Sequence, residues 1–274
     1  MPFEFCTIAA LVIACAAGVS AQSDNDPYGK AGDYDVLIFA RFWMGEPAAQ
    51  IPCGSFAASN LTLHGIWPQY IAARDSTHLW PQFCNTSKLV TAVSERVQTV
   101  MLPEWQTYAR SYPDDSSLQY KGLAGHEWER HGVCWSSAVN NLPDAPAVDS
   151  LQVKFFNSSI NLIRRFPTPA LLGDSLRANK PIALATLQAA FGGPQYVALQ
   201  CGASANGDIQ QLTMVSLCFD KDLTKQIACP TSALQEGYLN SCVVPTPVAE
   251  ISVAFNCTTK QRASLGAQRR PIRA

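Results

Sequence analysis

Residues 126–134 read HEWERHGVC and residues 63–68 read LHGIWP, and together they hold three of the four histidines in this chain of 274 residues. Histidine is the side chain whose ordinary pKa allows it to take up and release protons near neutral pH. In these two stretches the histidines stand beside carboxylates, a guanidinium and tryptophans. This composition indicates acid–base chemistry on an anionic substrate that carries aromatic groups.

The spacing within residues 126–134 predicts how the side chains are grouped. On an α-helix, residues four apart share a face, so His126 lies over Arg130 and Glu127 lies over His131. Two imidazoles, a carboxylate and a permanent cation then form one patch, while Trp128 is expected to anchor the helix in the core. For this stretch taken alone, a salt-bridged surface face remains the alternative interpretation.

The His-Glu pair that opens this stretch also raises the question of a zinc site. A zinc-protease helix places its second histidine four residues after the first. Here the separation from His126 to His131 is five residues, which on an α-helix rotates the second ring away from the first. No other residues complete a zinc site, so we predict no metal and no cofactor.

Taken together, the two stretches resemble the paired active-site motifs of the T2 family of ribonucleases, which are secreted and vacuolar acid ribonucleases. One family motif reads His-Gly-aliphatic-Trp-Pro, and the other reads His-Glu-Trp-Glu-basic-His-Gly-aliphatic/Thr-Cys. Both occur here in the family's order, about sixty residues apart, and each is followed by a cysteine. The resemblance runs from Tyr34, at the start of a first strand, to Cys242.

The resemblance implies an endoribonuclease that cleaves single-stranded RNA without a metal ion. The ribose 2′-hydroxyl attacks the adjacent phosphorus, and the resulting 2′,3′-cyclic phosphate is later opened to a 3′-phosphate. By similarity His131 is the base and His64 the acid, roles that suit groups whose ordinary pKa is about 6.5. Glu127 and Arg130 are expected to assist at the phosphoryl oxygens, and His126 to hold the phosphate.

The same resemblance implies a base-binding site. Trp67 is expected to stack on a base, as aromatic rings do for unpaired nucleotides, with Gln69 and Tyr70 beside it. The chain departs from the family at Arg130, where lysine is usual, so a planar fork replaces a compact ammonium. It also departs at residues 123–125, where the family commonly carries aromatic and acidic residues. These departures leave the base preference open.

A second function class remains open. A catalytically weak or inactive relative would use the same fold as an extracellular binding or toxin-like module. All the catalytic residue types are present in the two motifs, and this favours the enzyme.

The first 21 residues predict a signal peptide. An apolar run of 12 residues from Ile8 to Val19 precedes the small-residue cleavage pattern that ends at Ala21. That run is too short to span a bilayer, and we expect no membrane span elsewhere. The prediction is a secreted protein, or one of the vacuolar or lysosomal lumen.

The charges divide the remaining chain into two parts. Five basic and no acidic residues fall in residues 258–274, which are expected to be a disordered tail. Residues 22–257 hold the other 15 basic residues and 20 of the 21 acidic ones, a net charge of −5, and are expected to form one catalytic domain. An acidic body argues against tight duplex binding and favours a local grip on a short single strand. The tail is either a tether for anionic partners or a solvated terminus, and we expect a monomer.

Cysteines and sequons agree with a secretory route. Of ten cysteines, Cys6 and Cys15 would leave with the signal peptide, and the other eight are an even number suited to an oxidising compartment. Eight cysteines allow 105 pairings. The resemblance suggests the pairs Cys84–Cys134, Cys201–Cys242 and Cys218–Cys229, which leaves Cys53–Cys257 by elimination. N-glycans are predicted at the sequons of Asn60, Asn85, Asn157 and Asn256.

The predicted fold class is α+β, with a central, mainly antiparallel sheet flanked by helices and stapled by disulfides. Irregular alternation of strands and helices favours this over a doubly wound sheet. Strands are expected at Asp35–Phe39, Gln195–Leu199 and Gln210–Phe219, helices at Ser87–Met101 and Leu151–Phe166, and a loop at Asn140–Ala147. The first helix would turn inward its apolar residues Leu89, Val90, Val93, Val97, Val100 and Met101.

Overall fold

The structure is a computed structural model, and it describes residues 27–43, 60–74, 78–101, 104–105, 119–203, 210–234, 239–242 and 250–253. The predicted signal peptide, the basic tail, the Cys53–Cys257 pair and the Asn256 sequon lie outside the described residues. Within the described part, no helix is both long enough and apolar enough to cross a membrane.

One mixed sheet forms the centre of the molecule, and its strands are β1 Val36–Phe42, β2 Thr62–Gln69, β3 Ile182–Ala183, β4 Val197–Ala203, β5 Gln210–Phe219 and β6 Glu250–Ser252. The hydrogen-bonded order is β2-β1-β5-β6-β3, and β4 also pairs with β5. Every pairing is antiparallel except that of β5 with β6. The predicted mainly antiparallel sheet is confirmed, and β5 has the predicted bounds.

The helices are α1 Lys88–Thr91, α2 Glu95–Val100, α3 Gln119–His126, α4 Val133–Trp135, α5 Ala145–Arg165, α6 Ala170–Ala178, α7 Leu184–Ala189 and α8 Thr231–Leu234. Between α3 and α4 the chain forms a π-helix, Glu127–Gly132, and between α4 and α5 a short 3₁₀-helix, Ser137–Asn141. Helices and sheet together confirm the α+β fold class.

The two faces of the sheet bury different clusters, because side chains alternate along each strand. On β1, Leu37 and Phe39 face the main core, into which α5 packs. Ile38 and Ala40 face a smaller cluster that includes Trp67. Disulfides join Cys84 to Cys134, Cys201 to Cys242 and Cys218 to Cys229, which are the three pairs that the family resemblance suggested.

The helix predicted at Ser87–Met101 is two short helices, because residues 92–94 leave the helical path. Ser94 caps α2, and its Oγ accepts a hydrogen bond from the Val97 N–H at 3.2 Å. The fully buried Gln152 of α5 satisfies the interrupted backbone. Its amide donates to the Ala92 carbonyl at 2.7 Å and accepts from the Ser94 N–H at 3.2 Å.

This break changes which apolar residues of the segment face the core. Val90, Val97 and Met101 are buried as predicted, whereas Leu89 and Val100 are exposed. A hydrophobic pattern read with one helical phase misplaces side chains when the helix is interrupted, because the second helix starts with its own phase.

Helix α5 begins six residues earlier than predicted, at Ala145 instead of Leu151. Asp144 caps it, and its Oδ1 accepts from the Ala147 N–H at 2.9 Å, while Pro146 lies in the first turn. An acidic cap followed by proline is typical of a helix start. The predicted loop at Asn140–Ala147 is therefore wrong over its last three residues, and its first two residues belong to the 3₁₀-helix.

Candidate active site

A β-bulge presents His64 at the start of β2. Along β1, Ala40 pairs with Gly65 and the next residue, Arg41, pairs with Leu63. His64 is therefore the extra residue of the bulge. A bulge bends the strand and re-aims the side chain of the extra residue. The His64 ring stacks on Phe42, with centroids 3.9 Å apart and planes 21° apart.

The buried guanidinium of Arg41 supports the strand beside this bulge. Its Nη2 donates to the Leu61 carbonyl at 2.9 Å, which fixes the chain just before β2, and its Nη1 donates to the Phe166 carbonyl at 2.6 Å. Burial lowers the pKa of Arg41 to about 9. A cation held by backbone carbonyls thus ties β1 and the entry to β2 to the end of α5.

The π-helix brings His126 and His131 together, which corrects the α-helical register expected for this stretch. A π-helix closes its hydrogen bonds between residues five apart, and such turns are frequent at functional sites. The two ring centroids are 6.0 Å apart. The separation of five residues therefore does not rotate the second ring away, and that argument against a metal site is wrong.

The side chains of His126, Glu127 and His131 could each direct one ligand atom at a common metal ion, since those atoms lie within 4.8 Å of one another. A metal ligand must be deprotonated. Burial raises the pKa of Glu127 to about 8, and its Oε2 already accepts the indole N–H of Trp67 at 2.9 Å. Because Oε2 is engaged by Trp67, this carboxyl offers an ion only its Oε1.

Glu127 reaches the strand because residue 65 is glycine. The carboxyl is fully buried between the π-helix and β2, with Oε1 3.4 Å from His64 Nε2. A Cβ on Gly65 would lie 1.8 Å from Glu127 Oε2 and 2.6 Å from its Cδ. Such distances are far inside van der Waals contact, so any side chain at residue 65 would displace the carboxyl.

Burial shifts the pKa values of His131 and Glu127 in opposite directions. Burial lowers the pKa of His131 well below 6.5, and the charges of Arg130, His126 and His64 lower it further. The pKa of Glu127 is raised by burial, an effect that the Trp67 hydrogen bond and the charge of Arg130 oppose. In acidic to neutral solution the site therefore favours a neutral His131 and a neutral Glu127.

Trp67 contacts both proton-transfer candidates. Its ring centroid is 4.7 Å from that of His64, edge-on, and 5.3 Å from that of His131, nearly parallel. Only 9% of the residue is exposed, which leaves little ring surface for a base. Trp67 thus contacts both imidazoles and the Glu127 carboxyl, and its stacking on a base stays a prediction.

The other two predicted base-binding residues are buried. Gln69 is 1% exposed. Side chains alternate between the two faces of the sheet along β2, so Gln69 lies on the same face as Trp67, the face that buries the smaller cluster. Tyr70 is also 1% exposed and packs edge-on against Tyr28, with the guanidinium of Arg74 above its ring. We therefore do not carry Gln69 and Tyr70 into a base-binding site.

His126 and Arg130 lie at the outer side of the site. His126 is exposed, and Arg130 is partly buried. The Arg130 guanidinium donates from Nε and Nη2 to Oε1 of Gln82, a residue that the sequence analysis did not select. No local pattern marks Gln82, because it lies 48 residues from Arg130 in the chain. Phe42 was missed for a similar reason, since its contact with His64 depends on the pairing of β1 with β2.

Asn60, Asn85 and Asn157, the sequon residues in the described part of the chain, are all partly exposed. The Asn85 side chain accepts a hydrogen bond from the Ser87 N–H at 2.9 Å.

Comparisons with known proteins agree with the fold and with the motifs. The model of the Ribonuclease T2 family matches residues 34–229. Ribonuclease 1 of Arabidopsis thaliana is 27% identical over 242 residues, which cover 83% of this chain and 90% of that protein. A ribonuclease of Aeromonas hydrophila is 27% identical over 226 residues, with 79% and 86% covered.

Among solved structures, the SF11 ribonuclease associated with gametophytic self-incompatibility in Nicotiana alata matches with a TM-score of 0.53 at 16% identity, covering 81% of this chain and 100% of that one. The structure of RNase NT in complex with 5′-AMP matches with a TM-score of 0.51 at 19% identity, covering 72% and 91%. At these identities the likeness is one of fold.

Proposed function

We infer the reaction from the premise that this chain belongs to the Ribonuclease T2 family and is an endoribonuclease. We propose that residues 22–257 form one catalytic domain that cleaves single-stranded RNA by metal-independent transphosphorylation. The observation that carries the proposal is the pair of imidazoles, His64 and His131, which both contact the Trp67 ring, with the Glu127 carboxyl beside them.

In the first step, neutral His131 takes the proton of the ribose 2′-hydroxyl while the 2′-oxygen bonds to phosphorus. The bond from phosphorus to the 5′-oxygen breaks, and the imidazolium of His64 gives that oxygen its proton. The lowered pKa of His131 keeps it in the basic form that this role requires. The product is a 2′,3′-cyclic phosphate and a free 5′-hydroxyl.

In the second step the two histidines exchange roles. His64 takes a proton from water, the water oxygen bonds to phosphorus, and the imidazolium of His131 protonates the 2′-oxygen as its bond to phosphorus breaks. A 3′-phosphate results. Arg130 and His126 supply positive charge for the phosphoryl oxygens, where negative charge develops. The Glu127 carboxyl, which was also expected to assist there, is fully buried, and in this proposal it holds the His64 ring.

We expect cleavage of homopolymeric RNA to survive an excess of chelator, because both proton transfers are assigned to imidazoles. End analysis should show 2′,3′-cyclic phosphates early and 3′-phosphates late, and the rate should follow a bell-shaped curve with pH. Loss of activity in chelator that zinc or magnesium restores would contradict the mechanism. A folded protein that binds RNA without cleaving it would support the binding-module alternative.

The raised pKa of Glu127 predicts a pH dependence of stability. Because the folded state holds this proton more tightly, the contribution is fully present below the ordinary pKa of 4.5 and is lost as the pH rises through about 8. The Glu127→Gln variant should lose much of this fall in unfolding free energy between those values.

Urea unfolding of wild type and Glu127→Gln at several pH values measures this effect. Glu129→Gln removes an exposed carboxylate from the same π-helix and is the matched control. His131 has the opposite effect on the pH dependence of stability, since its stabilising contribution is lost as the pH falls below 6.5. Because His131 is present in wild type and in both variants, the comparison among the three proteins isolates the effect of the replaced carboxyl. A difference between wild type and Glu127→Gln that stays constant with pH would show that Glu127 is ionised in the folded protein.

We also propose that the protein enters the secretory route, loses residues 1–21 and reaches the extracellular space or a vacuolar lumen as an N-glycosylated monomer. The signal-peptide pattern, the three disulfides and the exposure of three sequon asparagines support this. N-terminal sequencing of the secreted protein should begin at Gln22, and enzymatic deglycosylation should lower its mass. Retention of the first 21 residues would contradict the proposal.

A further inference from the structure

Three N–H groups converge on one buried oxygen beside the active site. Gln82 is fully buried, and its Oε1 accepts from Arg130 Nη2 at 2.9 Å, from Arg130 Nε at 3.2 Å and from Trp80 Nε1 at 3.1 Å. An amide oxygen has two lone pairs, so three donors saturate it. The arrangement directs the Nε/Nη2 edge of the guanidinium at Gln82, because both nitrogens bind the same atom.

The backbone around Gln82 is held to the π-helix and cannot easily follow a moving arginine. Gln82 exchanges two backbone hydrogen bonds with Tyr28, of 2.8 and 2.9 Å. The next residue, Phe83, donates its N–H to the Arg130 carbonyl at 3.0 Å, and Cys84 is joined to Cys134 just beyond the π-helix. The Gln82 amide is therefore attached to the element whose side chain it binds.

The position of the guanidinium matters because its charge acts on the proton carriers. Arg130 lowers the pKa of His131 and that of Glu127. The other groups whose charges act on His131 are His126, at the end of α3, and His64, on β2. Displacing the arginine would therefore weaken one of three cationic influences on the base.

We propose that Gln82 is a positioning residue, which holds the Arg130 guanidinium beside His131 and Glu127 and aims it at the phosphoryl group. The inference rests on the proposed function. A planar guanidinium fork must be oriented before it can bind phosphate, which is the need that the Gln82 acceptor meets. Gln82 and Arg130 thus form a matched pair.

The test is a double-mutant cycle of wild type, Gln82→Met, Arg130→Lys and the double variant. Gln82→Met keeps the length of the side chain and removes the acceptor. Rates on the dinucleoside monophosphate that wild type cleaves fastest should be measured across pH, with thermal unfolding of each protein alongside. We expect Gln82→Met to lower kcat/KM by about tenfold, since small displacements of a positioned group cost that much or more.

Two further results are expected from the cycle. The acidic limb of the pH profile should move to higher pH in Gln82→Met, because the base loses part of the charge that keeps it neutral. In the Arg130→Lys background, which itself shows a modest loss, Gln82→Met should have little additional effect. If Gln82→Met does not fold, Gln82→Asn withdraws the same amide by one methylene and should show the same changes.

Two outcomes would overturn the inference. One is a folded Gln82→Met or Gln82→Asn variant with the rate and pH profile of wild type. The other is an equal loss whether residue 130 is arginine or lysine, which would mean that Gln82 acts through the fold alone. Failure of the proposed function would look different, since wild type itself would then not cleave the substrate.

Discussion

Replacing His131 by alanine should lower the rate of RNA cleavage by about 10²–10⁴-fold, the usual cost of losing a general base. The residue is 7% exposed and lies against Trp67, and its pKa is held well below 6.5, so it is the neutral imidazole of the site. His64→Ala should cause a loss of similar size, because the leaving oxygen would have no proton donor. Turnover of a dinucleoside monophosphate near the pH optimum measures both effects.

His78→Phe is the matched control for these variants. His78 is the fourth histidine and lies outside the cluster, with its ring stacked on Tyr28 at 3.4 Å. Phenylalanine keeps an aromatic ring in that stack, so the activity should remain close to that of wild type. A folded His131→Ala protein that kept near-wild-type activity would remove His131 from the reaction.

The second large effect is expected at a residue that carries no functional group. Gly65→Ala should lower kcat/KM by about 10²-fold, because a displacement of about 1 Å in a catalytic arrangement can cost that much. The added Cβ would lie 1.8 Å from Glu127 Oε2, so the carboxyl must leave its contacts with Trp67 and His64. Overpacking of a buried site also costs about 1–3 kcal/mol of stability.

Gly125→Ala provides the comparison for Gly65→Ala. Gly125 lies in α3, next to His126, and a Cβ there would meet nothing within 4 Å. Alanine in a helix interior is favoured over glycine by about 0.5–1 kcal/mol, so this variant should be active and at least as stable as wild type. Activity and thermal unfolding of both variants decide the matter. Wild-type activity in Gly65→Ala would show that the Glu127 carboxyl can move without consequence.

Local patterns in the sequence predicted the elements that depend on local preferences. Strand β5 was predicted with its correct bounds, because residues 210–219 combine β-favouring side chains over their whole length. The central strand was also found, although β1 continues to Phe42, three residues beyond the predicted end. Trp128 was expected in the core and is fully buried there, where its indole N–H donates to the Val90 carbonyl.

The geometry of the site depends on two irregularities that no local pattern marks. The π-helix adds one residue to a helical turn, and the bulge adds His64 to a strand. The two irregular elements pack against each other, since the Glu127 carboxyl lies directly against Gly65. The sequence thus identified the residue types of the site, whereas their register came from tertiary contacts. The contact between Gln82 and Arg130 has the same origin.

The central claim is that His131 removes a proton from the 2′-hydroxyl and that His64 gives one to the 5′-oxygen. A dinucleotide in which sulfur replaces the bridging 5′-oxygen separates these roles, because a thiolate leaves without needing a proton. Cleavage of the oxygen and sulfur substrates should be compared for wild type, His64→Ala and His131→Ala. The account predicts that His64→Ala cleaves the sulfur substrate at close to the wild-type rate while His131→Ala remains inactive on both. Rescue of His131→Ala instead, or of neither variant, would contradict it.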